Sequence, residues 1–419
     1  MDIKRICELI EERKGELFST LGSLVKINSE NFVTHGNEKN VAKRVFELFT
    51  EMGLECDLYS PLDIEGFKSH PDYMDGRGLE DRFNVTAIMR GEKDENGLML
   101  MGHSDTVSIG DEKNWHFPPL LGEVRDGKVL GRGACDDKYA LATALFVIKL
   151  LKENGFVPKK NLLFSAYSDE EYGGSHGALA ATLKYPSQRI VNMDGRAHQV
   201  WSCASGGGEF KLFFHKEGAA DSALYAARAI PLILDELGEF AKRREAELEA
   251  NPYYSGTIIP KTSLRYMGIK VGNAGMDLGR GEVHFIFYTV KTREEIKCEL
   301  DELNLILSKK LAPLGLVVDG IVPNTRFFHY TATDQNDASI TDLVSASEEA
   351  IGITPKVCGS CLSDLSVIGK YNTGAAFAYG CGRDFSLPGG AHQPNEFIEC
   401  SDLLNFAKVI AAYVIKTLG

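Results

Sequence analysis

The 419-residue chain carries 46 Lys and Arg against 59 Asp and Glu, a formal charge of −13. With 44% hydrophobic and 25% charged residues it has the make-up of a globular protein long enough for two or three domains. The acidic balance and the lack of a basic tract argue against nucleic acid or an anionic membrane as partner, and no apolar run of about 18 residues reads as a membrane span.

The N-terminus shows no uninterrupted apolar stretch of the kind a signal peptide needs. Ile3, Ile6, Ile10, Leu17, Leu21, Leu24 and Val25 instead mark a helical stripe. Asn40–Met52 is amphipathic. Asn84–Arg90, Leu98–Gly102, Asn161–Tyr167 and Arg189–Met193 are short apolar runs rich in strand formers, and helical Lys138–Asn154 lies between the second and third. That spacing predicts an α/β domain with a mainly parallel sheet. After Asp194 the character changes. Glu209–His215, Glu282–Val290 and Leu316–Val322 read as strands, and Ala219–Leu248 and Arg293–Leu311 as helices. The expected organisation is a catalytic domain of 1–198 plus 327–419, interrupted at 199–326 by a smaller α+β domain. Nine scattered cysteines read as reduced thiols in a cytoplasmic protein. Cys358-Gly-Ser-Cys361 lacks the two further nearby ligands a structural zinc site requires.

Five segments place metal-capable side chains at strand ends or glycine turns, where open α/β sheets gather their ligands. They are Gly102-His103-Ser104-Asp105, Gly131-Arg132-Gly133-Ala134-Cys135-Asp136-Asp137-Lys138, Ser168-Asp169-Glu170-Glu171, Met193-Asp194-Gly195, and Ala391-His392-Gln393-Pro394-Asn395-Glu396. Singly, each has an ordinary explanation: a helix cap at Asp136-Asp137, a solvated acidic run at 169–171, a loop histidine at 392. Together they supply the nitrogen and oxygen donors zinc takes. Three adjacent acids leaving a buried strand are costly unless cations pair with them. Two neighbouring glutamates could divide the labour, one binding metal and one moving protons.

The strings MGHSDTV, GRGACDDK, SDEEYGGSHGA, VNMDG and AHQPNE, in this order, resemble the di-zinc family of aminoacylases, acetylornithine deacetylases, succinyl-diaminopimelate desuccinylases, carboxypeptidase G and cytosolic dipeptidases. The resemblance implies a zinc-binding α/β domain interrupted by a lid through which such proteins form homodimers. It implies two Zn2+ per subunit, with Co2+ or Mn2+ as substitutes. Asp136 would bridge the ions, His103 and Asp194 would hold one, and Glu171 and His392 the other. Glu170 would serve as general base and acid, and Asp105 would orient His103. A cis peptide at Asp136–Asp137 is also implied. The substrate would be a small N-acyl amino acid, with a dipeptide or a carboxypeptidase substrate as the alternative.

Three departures touch substrate recognition. Asp221 stands where the family lid carries a histidine, so it should either point away from the metals or face a cationic group of the substrate. The lid strand EVHFIFYTV lacks the family's carboxylate-binding arginine, although Asn273 before it matches a family asparagine. Gly359–Ser366, including Gly359 and Ser360, resembles a substrate loop, with Ser366 where desuccinylases carry an arginine. Arg280, Arg326 and Arg383 are the candidate replacements, Arg383 being counted with the substrate-binding residues. Two readings compete from outside. Gly173-Gly174-Ser175-His176-Gly177 satisfies the serine-hydrolase pattern G-x-S-x-G, but eight positions past the strand end rather than on a tight strand-to-helix turn. A non-catalytic metal-binding relative is the other, and the presence of Glu170 speaks against it.

Overall fold

The N-terminal stripe forms two helices, Ile3–Glu12 and Lys14–Val25, whose apolar residues are buried as the spacing required. The structure, a computed structural model, describes residues 2–216, 222–272 and 279–419. It divides into two compact units: Met1–Ser202 with Ala332–Cys358 and Val367–Gly419, and Cys203–Thr331 with Gly359–Ser366.

The first unit is built on a mixed sheet. Lys93–His103 lies at its centre, parallel to Lys160–Tyr167 on one side and to Arg189–Asn192 on the other. Arg189–Asn192 continues in parallel to Ala375–Gly380. The flanks are antiparallel: Asn84–Met89 and Glu55–Tyr59 on one side, Gln199–Ala204 on the other. The parallel character expected from the sequence is therefore that of the sheet centre. These strands read as unbroken apolar runs because both faces are covered. Helices Ile3–Glu12, Lys14–Val25, Lys138–Glu153, Ala338–Ile351 and Cys400–Leu418 share one large core with the sheet. Leu179 and Ala180 of helix His176–Lys184 pack instead with Tyr59, Phe67 and Leu79.

The second unit is a four-stranded antiparallel sheet in the order Leu264–Val271, Arg280–Thr289, Gly206–His215, Val317–Pro323. Phe210, Leu212 and Phe214 alternate inward against helices Ser222–Glu249 and Arg293–Leu311. Gly359–Ser366 belongs to this unit rather than to the stretch that follows it in sequence. The reason is local packing: a Cβ at Gly359 would meet Tyr254 at 2.4 Å and Cys203 at 2.8 Å, and the Tyr254 hydroxyl donates to the Ser360 carbonyl at 2.9 Å. Among the described residues no helix is long and apolar enough to cross a membrane. None of the nine cysteines forms a disulfide.

Candidate metal centre

Three parallel neighbours in the first sheet end together. His103 is the last residue of Lys93–His103, Ser168–Glu171 follow Lys160–Tyr167, and Met193-Asp194 follow Arg189–Asn192. Asp136 arrives from the turn before helix Lys138–Glu153, across a cis Asp136–Asp137 peptide as the resemblance implied. His392 comes from the long loop after Ala375–Gly380.

His103, Asp136 and Glu171 offer donor atoms that all lie within 4.8 Å of one another. Asp136 faces the two imidazoles with separate oxygens: Oδ1 is 3.0 Å from His103 Nε2 and Oδ2 is 3.2 Å from His392 Nε2. His392 Nε2 is also 3.1 Å from Glu171 Oε2. Asp194 joins through its field. Burial and the charges of Asp136 and Glu171 push its carboxyl up to about 6, while His103 draws it back. Burial opposes ionisation of Asp136 too, yet the hydrogen bonds from His103 and His392 hold it far below the usual carboxylate range. Burial likewise opposes charge on His392, but Glu171 and Asp136 raise it to about 11. His103 is raised well above its ordinary value, against burial, by Asp105 and Asp136. Such crowding of acids fits a divalent cation, whose charge would replace the protons these imidazoles now hold. His392 and Asp194 lie outside that three-residue group, as does Glu170, whose charge reaches His103.

Asp105 faces His103 and also reaches beyond it. The strand ends at His103, so the two-residue alternation stops there. His103 Nδ1 meets the Asp105 main-chain carbonyl at 3.0 Å, and the carboxylate is at 3.5 Å. The carboxylate's shorter bonds are accepted from the amides of Glu170 (3.1 Å) and Glu171 (2.9 Å) and from Asn31 Nδ2 (2.8 Å). Asp105 thus faces the histidine with both its carbonyl and its carboxylate, and holds the glutamate pair with the same carboxylate.

The acidic run is paired as its cost demanded. Asp169 accepts from Arg77 Nη2 at 2.6 Å, Arg82 Nη1 at 2.7 Å and His176 Nδ1 at 2.6 Å, all buried. Arg82 also reaches Glu38 at 2.8 Å. A second brace joins two motif loops: Arg132 Nη1 donates to Glu396 Oε2 at 2.5 Å, and Glu396 Oε1 accepts the Cys135 amide at 3.0 Å. Arg132, His176 and Glu396 stand inside the motif strings but drew no role from them. Arg77, Arg82, Asn31 and Glu38 lie outside those strings, and the one available signal was the demand of residues 169–171 for cations.

Two of the expected substrate residues, Arg383 and Ser360, are engaged in their own surroundings. Arg383 donates through Nε to the Pro388 carbonyl at 3.2 Å and lies 4.6 Å over the Phe397 ring, bracing its own loop. Ser360 is buried, its hydroxyl spent on the Cys203 and Cys361 carbonyls within the second unit. Arg280 opens the strand Arg280–Thr289, which starts two residues before the segment read from the sequence. Asp221 and Asn273 lie outside the described residues. Ser175 is buried and the adjacent His176 is engaged at both nitrogens, by Asp169 and by the Met74 amide at 3.0 Å, so the serine-hydrolase reading fails.

Residues 99–416 match the profile of peptidase family M20/M25/M40. A succinyl-diaminopimelate desuccinylase of Vesicomyosocius okutanii is 27% identical over 218 residues, 49% of this chain and 55% of that protein. The chain spans only about a fifth and about half of the lengths of the curated desuccinylases it matches. An uncharacterized metallohydrolase of Methanocaldococcus jannaschii is 26% identical over 414 residues, 92% of this chain and 95% of the relative. Among solved structures, a dipeptidase of Saccharomyces cerevisiae superposes with a TM-score of 0.73 at 16% identity, covering 99% of this chain and 98% of that one. The profile covers well over half of the chain, so the protein belongs to peptidase family M20/M25/M40.

Proposed function

We propose that the chain hydrolyses the amide bond of small N-acyl amino acids, with Glu170 as general base and acid. The observation that carries this reading is the meeting of Glu171 with His103, Asp136 and His392, with the neighbouring Glu170 close enough for its charge to act on His103. His103 and Asp194 would hold one divalent cation and Glu171 and His392 a second, with Asp136 offering one oxygen to each. Zinc is the proposed metal, given a donor set of imidazoles and carboxylates. When bound, such ions polarise an amide carbonyl and lower the pKa of a water held beside them. Glu170 would take a proton from that water as it attacks the carbonyl carbon, then give it to the leaving nitrogen, so one carboxylate serves both halves of the reaction.

A dipeptidase or carboxypeptidase activity is the competing reading. It draws support from the near full-length likeness to a yeast dipeptidase, whereas the desuccinylase matches cover only parts of those proteins. Metal analysis of the purified protein, followed by a screen of N-acetyl, N-succinyl and N-formyl amino acids against dipeptides and folate-like conjugates, separates the two. Turnover confined to N-acyl amino acids supports deacylation, and turnover confined to dipeptides replaces it. Bound metal with no turnover on any of them would favour a non-catalytic relative.

A further inference from the structure

The arginine at position 77 is carried by an exposed turn and driven into the interior. Gly76 and Gly78 flank it with φ of 82° and 58°, left-handed values that let the chain double back. Asp75 and Gly76 are exposed, yet Arg77 itself is 3% exposed. Burying a guanidinium is expensive unless its donors are used, and these donors converge on a single short stretch. Nη2 donates to Asp169 Oδ1 at 2.6 Å and to the Glu171 carbonyl at 2.8 Å. Nε donates to the same Asp169 oxygen at 3.1 Å, and Nη1 to the Tyr172 carbonyl at 3.4 Å.

That stretch is strained. Asp169 has φ 59° and Tyr172 φ 57°, conformations that non-glycine residues keep only where the surroundings impose them. Arg77 holds the two strained residues and the carbonyls of Glu171 and Tyr172, while the Asp105 carboxylate holds the amides of Glu170 and Glu171. Room for the guanidinium is kept by Gly174, where a Cβ would stand 2.5 Å from Arg77 Nη2.

We propose that Arg77 is a positioning residue for hydrolysis: by gripping Asp169 and the Glu171 and Tyr172 carbonyls at once, it fixes the direction in which Glu170 carries its proton. The proposal rests on the reading of Glu170 as base. Lysine cannot replace it fully, because a single ammonium lacks the planar fork that reaches both Asp169 and the carbonyls.

The test compares Arg77→Ala and Arg77→Lys in the metal-loaded enzyme by kcat, KM, metal content and hydrogen–deuterium exchange of the peptide spanning 168–175. Arg77→Ala should lower kcat about 10- to 100-fold, the range typical of groups that orient a metal site from outside it. KM and metal content should hold, exchange at 168–175 should rise, and added guanidinium chloride at millimolar concentration should restore part of the lost kcat. Arg77→Lys, which keeps the buried charge, should fold and show an intermediate kcat. Wild-type kcat in a folded Arg77→Lys variant overturns the proposal, including where Arg77→Ala fails to fold. Parallel loss of metal and turnover in Arg77→Ala with unchanged exchange at 168–175 overturns it as well. If the wild-type enzyme hydrolyses nothing in the panel, the reading of Glu170 fails instead. The exchange measurement then still decides whether Arg77 holds this stretch.

Discussion

Two loops of the first unit bring residues to the candidate metal centre, and they differ in how far they are enclosed. Residues 168–176 are clasped by buried charges on both sides: Arg77, Arg82 and His176 on Asp169, and Asp105 on the amides of Glu170 and Glu171. The loop after Ala375–Gly380 runs along the surface. Phe385, Leu387 and His392 are exposed, and its anchors are the Arg132–Glu396 pair and Asn395, which accepts the His116 amide at 2.6 Å. A group that must aim a proton needs a fixed direction, whereas a ligand can be drawn into place by the cation it binds. The first loop should therefore set turnover and the second should set metal affinity.

Replacing the base without touching its supports gives the largest effect. Glu170→Gln should cut kcat by about 10²–10⁴-fold, or more because one group acts twice, while both metals stay bound. Turnover close to that of the wild type in a metal-replete variant would remove Glu170 from the reaction. Breaking the anchor of the second loop should act otherwise. Glu396→Ala strands the buried Arg132 guanidinium, and removing one partner of a buried pair costs about 3–5 kcal/mol. Chemical denaturation should show that loss, with weakened binding of one metal, since Arg132 and Glu396 tie the Asp136 turn to the His392 loop. Full stability in Glu396→Ala would show that this loop is anchored elsewhere.

What the sequence disclosed follows the same division. The strands of the sheet centre and the helices Lys138–Glu153 and Arg293–Leu311 emerged within a few residues, because continuous burial writes itself as apolar runs. The edge strand Leu264–Val271 escaped notice. It is interrupted by Gly268, bulged beside it and largely exposed, so it lacks the alternation that betrays a half-buried strand. In the site, the segments that carry His103, Asp136, Glu171 and His392 were legible as metal-capable groups at strand ends or glycine turns, and the family resemblance assigned the roles within them. Arg77 and Arg82 were not, since nothing local in a loop rich in Gly and Asp says that its cations point inward. The need for them was legible at Asp169, but not which residues would meet it.

Acidity offers a middle-sized test. In the metal-free protein the surrounding acids raise His392 to about 11 and push His103 up as well, which favours protons on both rings. A metal takes the neutral imidazole, so binding must release those protons and apparent affinity must rise with pH. Each displaced proton should strengthen binding by about tenfold per pH unit below the pKa of its group. Asp194, pushed to about 6, adds a further competing proton below that pH. Chelator competition between pH 6 and 8 measures the slope. A flat profile would mean that the histidines are already neutral or are not ligands.

The smallest expected effect lies on the exposed loop. The Phe385 ring stands 4.9 Å from the His392 imidazole and has the Arg196 guanidinium over it at 4.6 Å, while Arg196 pairs with Asp384 at 2.5 Å. The ring therefore touches both a ligand candidate and the Arg196 guanidinium. Aromatic contacts of this kind contribute about 0.5–1.5 kcal/mol beyond burial, and this ring is already 40% exposed. Phe385→Ala should thus weaken binding of the metal assigned to His392 by about threefold to tenfold, the equivalent of that energy. Its kcat at saturating metal should match the wild type, because nothing in the Arg77–Asp169–Asp105 clasp is touched. Titration of the metal-free variant against a chromophoric chelator, paired with kcat measured in excess metal, separates the two quantities. A fall in kcat at saturating metal would show that the surface loop also aims the reaction and would erase the contrast between the two loops.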